Sequence, residues 1–168
     1  MIKKFKEIYE SLRESTCDMD DLIYQLLQDR AIKALYILIC NDVIKKDSFS
    51  EIIENFSDIL FTEDGDDYNN YPVLDLIGLM IEKGFDVNMR DSAGTTIFHS
   101  IVSIDDNILR NKFIDLLIPG GMKLTNNILD YVKNDAFNGD RAFNYIEKKY
   151  PDIIKEYLKN KELKRFNI

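Results

Sequence analysis

Tryptophan is absent from this 168-residue chain, histidine occurs once, cysteine twice and proline three times. One histidine and two cysteines cannot furnish a His-rich metal centre or a Cys-based zinc site, so no metal and no other cofactor is expected. Cys17 lies in a polar stretch and Cys40 closes the apolar run 34–40. They have neither Cys-x-x-Cys spacing nor a histidine nearby in sequence, which argues against a disulfide, a redox pair or a catalytic thiol. Cys40 reads as a small buried hydrophobe. Long apolar runs are missing too. The run 34–40 is the longest, and a bilayer-crossing helix needs about 20 residues. The first thirteen residues, MIKKFKEIYESLR, carry charges where the apolar centre of a secretion signal would sit. The expected location is the cytoplasm, or a host cytosol for a viral or secreted factor, with no membrane association.

Cations are in short supply. There are 22 Lys and Arg against 30 Asp and Glu, a formal net charge of -8. A nucleic-acid partner is therefore not expected, since phosphate binding needs clustered positive charge. The imbalance is uneven. Residues 141–168 hold 8 Lys and Arg against 4 Asp and Glu, a net +4; the preceding 140 residues hold 14 against 26, a net -12. An acidic body with a basic C-terminal end is a steering surface for a basic partner.

What is present is ordinary globular material: 45% apolar and 31% charged residues, in a length that suits one domain over 1–168. The apolar pattern is helical throughout. Ile2, Phe5, Ile8, Tyr9 and Leu12 predict a first helix over 2–13. Leu22, Ile23, Leu26 and Leu27 predict a second, and Ile32, Leu35, Leu38 and Ile39 a third. Ser48 with Glu51 fits a capping box for a fourth. An acidic polar loop, 61–70, follows. Pro72 suits the first turn of the next helix, and Gly84 its C-terminal exit. Further helices are expected over about 96–103, 107–117, 126–134, 140–150 and 151–161, giving an all-α chain.

Leu79-Met-Ile-Glu-Lys-Gly84-Phe-Asp-Val87-Asn aligns with Leu116-Leu-Ile-Pro-Gly-Gly121-Met-Lys-Leu124-Thr. Between them runs Asp91-Ser-Ala-Gly94-Thr-Thr96-Ile97-Phe98-His99. Over 79–102 the chain resembles the ankyrin-repeat family. Gly84 matches the glycine that closes the second helix of a repeat. Asp91 and Gly94 match the tip of the finger, and Thr96, Phe98 and His99 match the Thr-Pro-Leu-His tetrapeptide, with Ile97 in place of proline. The resemblance implies a short solenoid of about four helix pairs, 19–46, 48–83, 96–117 and 126–150, with helices 2–13 and 151–161 as caps. It makes Gly84, Asp91, Gly94, Thr96 and His99 structural. It also implies that Met89, Arg90, Ser92, Ala93 and Thr95 of the finger, with Ser103 and Ile104 after the first helix, face a protein partner. Met89 and Ile104 would be exposed apolar anchors there.

Little else points to chemistry. As a general base His99 would need a nucleophile or carboxylate aimed at it; its place in the tetrapeptide implies a structural hydrogen-bonding residue instead. Asp66, Asp67 and Tyr68 sit in the 61–70 loop. An EF-hand read from Asp64 fails, because Asn69 and Asp75 stand where glycine and glutamate belong. The loop is left as a contact segment. The functional expectation is a non-enzymatic module that blocks or scaffolds another protein; neutralising a basic enzyme, as an immunity-type or viral host-interaction factor does, fits by analogy of fold and charge. Two alternatives stay open: an enzyme with an unrecognised carboxylate site, and a nucleic-acid adaptor using the basic C-terminal end.

Overall fold

The computed structural model describes residues 19–29, 31–56, 60, 71–134 and 139–166. The helix expected over 2–13, Cys17, and Asp66, Asp67 and Tyr68 of the acidic loop lie outside them.

Among the described residues there are nine α-helices and no strand. They are α1 (Met19–Gln28), α2 (Ile32–Cys40), α3 (Phe49–Glu54), α4 (Tyr71–Glu82), α5 (Ile97–Val102), α6 (Asn107–Leu117), α7 (Asn126–Asn134), α8 (Gly139–Lys149) and α9 (Pro151–Phe166). The chain is thus mostly helical. None of these helices is long and apolar enough to cross a membrane.

Helices pack in an alternating order. The even helices form one row of contacts, α2 on α4, α4 on α6 and α6 on α8. Among the odd helices α1 touches α3, and α5 touches α7. Within pairs, α1 meets α2, α5 meets α6 and α7 meets α8, while α9 lies against both α8 and α7. Short amphipathic helices cannot bury their apolar stripes alone, and neighbours supply the missing surface. One continuous core results, from Ile23 and Leu35 through Phe49, Leu76, Phe98 and Phe113 to Ile146 and Tyr157. Aromatic edges stitch it: Phe49 meets Phe85 at 6.2 Å and Phe56 meets Phe113 at 6.3 Å between ring centroids.

Three even helices end with one device. Val43, Phe85 and Met122 donate backbone N–H bonds to the carbonyls of Leu38, Met80 and Leu117, at 2.9, 2.9 and 3.0 Å. Asp42, Gly84 and Gly121, one residue earlier, bond to Ile39, Ile81 and Ile118. This is the paired-bond Schellman exit, which requires a left-handed residue. The φ angles are 55° at Asp42, 91° at Gly84 and 99° at Gly121. The first exit therefore uses an aspartate in a glycine's place. Its carboxylate also pairs with Lys83 Nζ at the end of α4, 2.5 Å away.

Two local expectations fail. Ser48 forms no side-chain cap on α3: it closes a 3-10 turn over Lys46–Ser48, and its φ of -95° and ψ of 5° are not the extended angles of a capping residue. Glu51 is accordingly free of the box and accepts a bond from Asn55 Nδ2 at 2.9 Å instead. Cys40 is exposed rather than buried. It is the last residue of α2, and the core-facing positions of that helix are Ile32, Leu35, Leu38 and Ile39.

Candidate functional site

Between α4 and α5 the chain makes a small hairpin. Asp91 N–H donates to the Thr95 carbonyl and Gly94 N–H to the Asp91 carbonyl, both at 2.9 Å. Arg90 and Thr96 form an isolated antiparallel bridge. Gly94, at φ 79°, supplies the left-handed residue that closes a three-residue loop. The Asp91 carboxylate braces the turn from inside, accepting the Thr95 N–H at 2.8 Å and the Thr95 hydroxyl. Burial pushes the Asp91 carboxyl up, but those bonds and one from the Ala93 N–H outweigh it, so its pKa lies below the usual 3.8.

Neighbouring helix pairs hold the hairpin on both sides. The Glu54 carboxylate at the end of α3 accepts from Ser92 N–H and Ser92 Oγ, each at 2.8 Å. Toward α7, Asn88 Nδ2 donates to the Gly121 carbonyl at 3.0 Å, and its Oδ1 accepts the Lys123 N–H at 2.7 Å. Asn88 is itself oriented by Asp86 Oδ1, which accepts both its N–H and its Nδ2. Those bonds draw the Asp86 pKa down.

At the hairpin's root the buried Thr96 starts α5. Its N–H donates to His99 Nδ1 at 3.0 Å, the return arm of a capping box with histidine where glutamate or glutamine is usual. A nitrogen that accepts is unprotonated, so the neutral ring carries its proton on Nε2. Burial lowers the His99 pKa from 6.5, with nearby Arg90 adding to the effect; the Thr96 carbonyl, 3.3 Å from Nδ1 and able to accept from the charged ring, and the charge of Asp91 oppose it. The exposed ring of Tyr131 on α7 lies against the imidazole, 4.6 Å between centroids.

The structure sorts the expected contact residues. Arg90, Ser92 and Ala93 are exposed, Thr95 is half-buried, and the Arg90 guanidinium curls back onto the Gly94 carbonyl. Met89 is half-buried against the core, and Ile104 is buried at 5% exposure, so neither is the exposed anchor expected. The Ile104 side chain joins the core, and its carbonyl accepts from Arg110 Nη1 of α6 at 2.6 Å. Ser103 is half-buried, its hydroxyl donating to the His99 carbonyl at 3.4 Å.

Several interactions carry no sequence signal. Arg110 is 1% exposed, with a second bond to Asn107 Oδ1 and no partner on Nε among the described residues. Burial lowers its pKa, and Arg141 adds to that while Asp105 and Asp106 oppose it. Two aspartates gather tyrosines and a lysine from later helices. Asp115 of α6 accepts from Tyr145 Oη at 2.7 Å, Tyr150 Oη at 3.0 Å and Lys149 Nζ. Asp130 of α7 accepts from Tyr157 Oη and Lys161 Nζ, both at 2.5 Å. Burial raises the Asp115 carboxyl, but its three donors bring it below the usual range; at Asp130 the Lys161 and Tyr157 bonds lead. Beside this second knot a cleft of about 390 Å³ opens between α7 and α9, lined by Lys133, Asn134, Leu158 and Glu162 together with the knot itself.

Among the described residues, the hairpin presents a braced turn with polar and charged side chains outward. No protein-family model, curated protein or solved structure matches the chain.

Proposed function

We propose that this is a non-enzymatic binding protein of ankyrin type, which occupies and blocks or scaffolds another protein through the 89–95 finger and the adjoining odd-helix face. The observation that carries the reading is the bracing of an exposed turn from two neighbouring helix pairs. Glu54 grips Ser92 and Asn88 grips the 121–123 segment, while Arg90 and Ala93 stay exposed. A loop ordered before binding loses little entropy on binding. The partner class is a basic protein. The odd helices α1 and α3 contain Asp20, Asp21, Glu51 and Glu54 and no lysine or arginine, and residues 1–140 carry a net -12. Such a module acts in the cytoplasm, or in a host cytosol if it is a viral or secreted factor.

The test is a stoichiometric complex with a basic partner, measured by calorimetry. Ala93→Arg is expected to weaken it at least about tenfold, and added salt to weaken it further. Glu156→Lys, on the exposed side of α9, serves as the control and leaves it unchanged. Turnover abolished by Asp66→Asn or Asp67→Asn would instead make the protein an enzyme. An oligonucleotide shift lost on deleting 159–168 would make it a nucleic-acid adaptor.

A further inference from the structure

We propose that His99 is a proton-operated latch on the 90–96 hairpin. In its neutral form Nδ1 accepts the Thr96 amide and fixes the hairpin's root to α5; in its protonated form it releases that amide and loosens the finger.

The geometry supplies both states. Thr96 N–H points at Nδ1 from 3.0 Å, a contact that only an unprotonated nitrogen can make. Two other Thr96 atoms lie within reach of the same nitrogen: Oγ1 at 3.1 Å and the carbonyl oxygen at 3.3 Å. A protonated Nδ1 donates to one of these. The exchange is unequal, because the imidazolium keeps a partner and the Thr96 amide loses its own. Thr96 is 4% exposed, so water cannot readily replace the acceptor. The amide lies at the Arg90–Thr96 bridge, where the two arms of the hairpin meet.

The groups facing the ring set its response. On the hairpin, Arg90 disfavours the charged ring and Asp91 favours it. On α7, the Tyr131 ring favours a cation over its face. Burial opposes protonation more strongly than any of these, so the latch is shut at neutral pH and opens below the ordinary histidine range. Asp91 stays ionised through that window, because its own pKa lies under 3.8. The brace inside the turn is therefore constant while the root changes.

The effect on partner capture rests on the binding reading above. The latch itself does not, and its test contains no partner, so the two can fail separately. Amide exchange is measured on the full chain at pH 7 and at an acid pH where the His99 ring resonances show it protonated, comparing Asp91, Thr95 and Thr96 with Met122 at the end of α6 as an internal reference. In the wild type, finger protection relative to Met122 is expected to fall about tenfold on acidification. In His99→Gln it stays constant, since the glutamine oxygen accepts the same amide and does not titrate. Equal losses in both proteins, or no loss while the ring titrates, would overturn the proposal. Should the variant fail to fold, wild-type NMR decides. A Thr96 amide shift that shares the midpoint of the His99 ring supports the latch, and an amide indifferent to that midpoint refutes it.

Discussion

The two connections that leave Gly84 and Gly121 begin alike and end differently. Both start with the same pair of exit bonds and a left-handed glycine. After Gly84 the chain makes a first turn closed by Met89 N–H on the Asp86 carbonyl, then the braced hairpin, and reaches α5 through Thr96. After Gly121 it passes straight to Thr125, whose hydroxyl accepts the Ile128 N–H at 3.4 Å, and α7 begins. The second connection thus keeps the exit and the cap of the first and drops the hairpin between them. It serves the first all the same, because its Gly121 carbonyl and Lys123 amide hold Asn88. A finger in this molecule is steadied by the shorter loop that follows it.

The comparison can be broken most severely through what the two regions share. Both connections rest on the one core, where the fully buried Phe113 of α6 meets Phe56 edge-on. Phe113→Ala is expected to cost about 3–5 kcal/mol in urea unfolding. Gly84→Val and Gly121→Val are expected to cost about 1–2 kcal/mol each. Nothing lies within 4 Å of an added Cβ at either position, so the cost is in the backbone alone. Equal losses would establish the two exits as equivalent. Asn88→Ala, which cuts the link between the loops, is expected to cost about 1 kcal/mol. It would also speed amide exchange at Lys123, and an unchanged Lys123 amide would refute the coupling. Asp42→Asn tolerates the left-handed angle and loses only the exposed pair with Lys83, for an expected change of about 0.5 kcal/mol or less.

Acid separates the regions as well. The folded His99 has a lowered pKa and binds fewer protons than the unfolded chain. Its contribution is complete above 6.5 and declines as pH falls from there through the folded value. The carboxylates of Asp115 and Asp130 are also lowered, so theirs is present above 3.8 and declines below it. Unfolding followed against pH should show the finger loosening first and the C-terminal helices later. A single coincident transition would refute this order.

The finger was legible in the sequence because its structure is local. Asp91, Gly94, Thr96 and His99 act on residues within four positions of themselves, where turn and cap chemistry leave a readable spacing. The even-helix exits at Gly84 and Gly121 were legible for the same reason. Asp42 was not, since an aspartate at positive φ looks like any surface aspartate. Long-range contacts left no trace either. Glu54 on Ser92, Asn88 on Gly121 and Tyr131 on His99 join separate helix pairs. Ile104 shows how this misleads: a residue just past a helix end looks exposed until the neighbouring helices supply the core that covers it. Cys40 errs the other way, since an apolar run suggested burial on several sides and the helix turned its last residue to solvent.

The two aspartate knots have a consequence for how the chain gives way under load. Among its described side chains α9 buries Ile154 and Tyr157, and it is fastened to α7 by a carboxylate, a phenol and an ammonium. Such ties resist sliding until they snap one after another, with little dry interface behind them. Pulled from its C-terminus, the molecule should peel stepwise, surrendering α9 before any force reaches the hairpin.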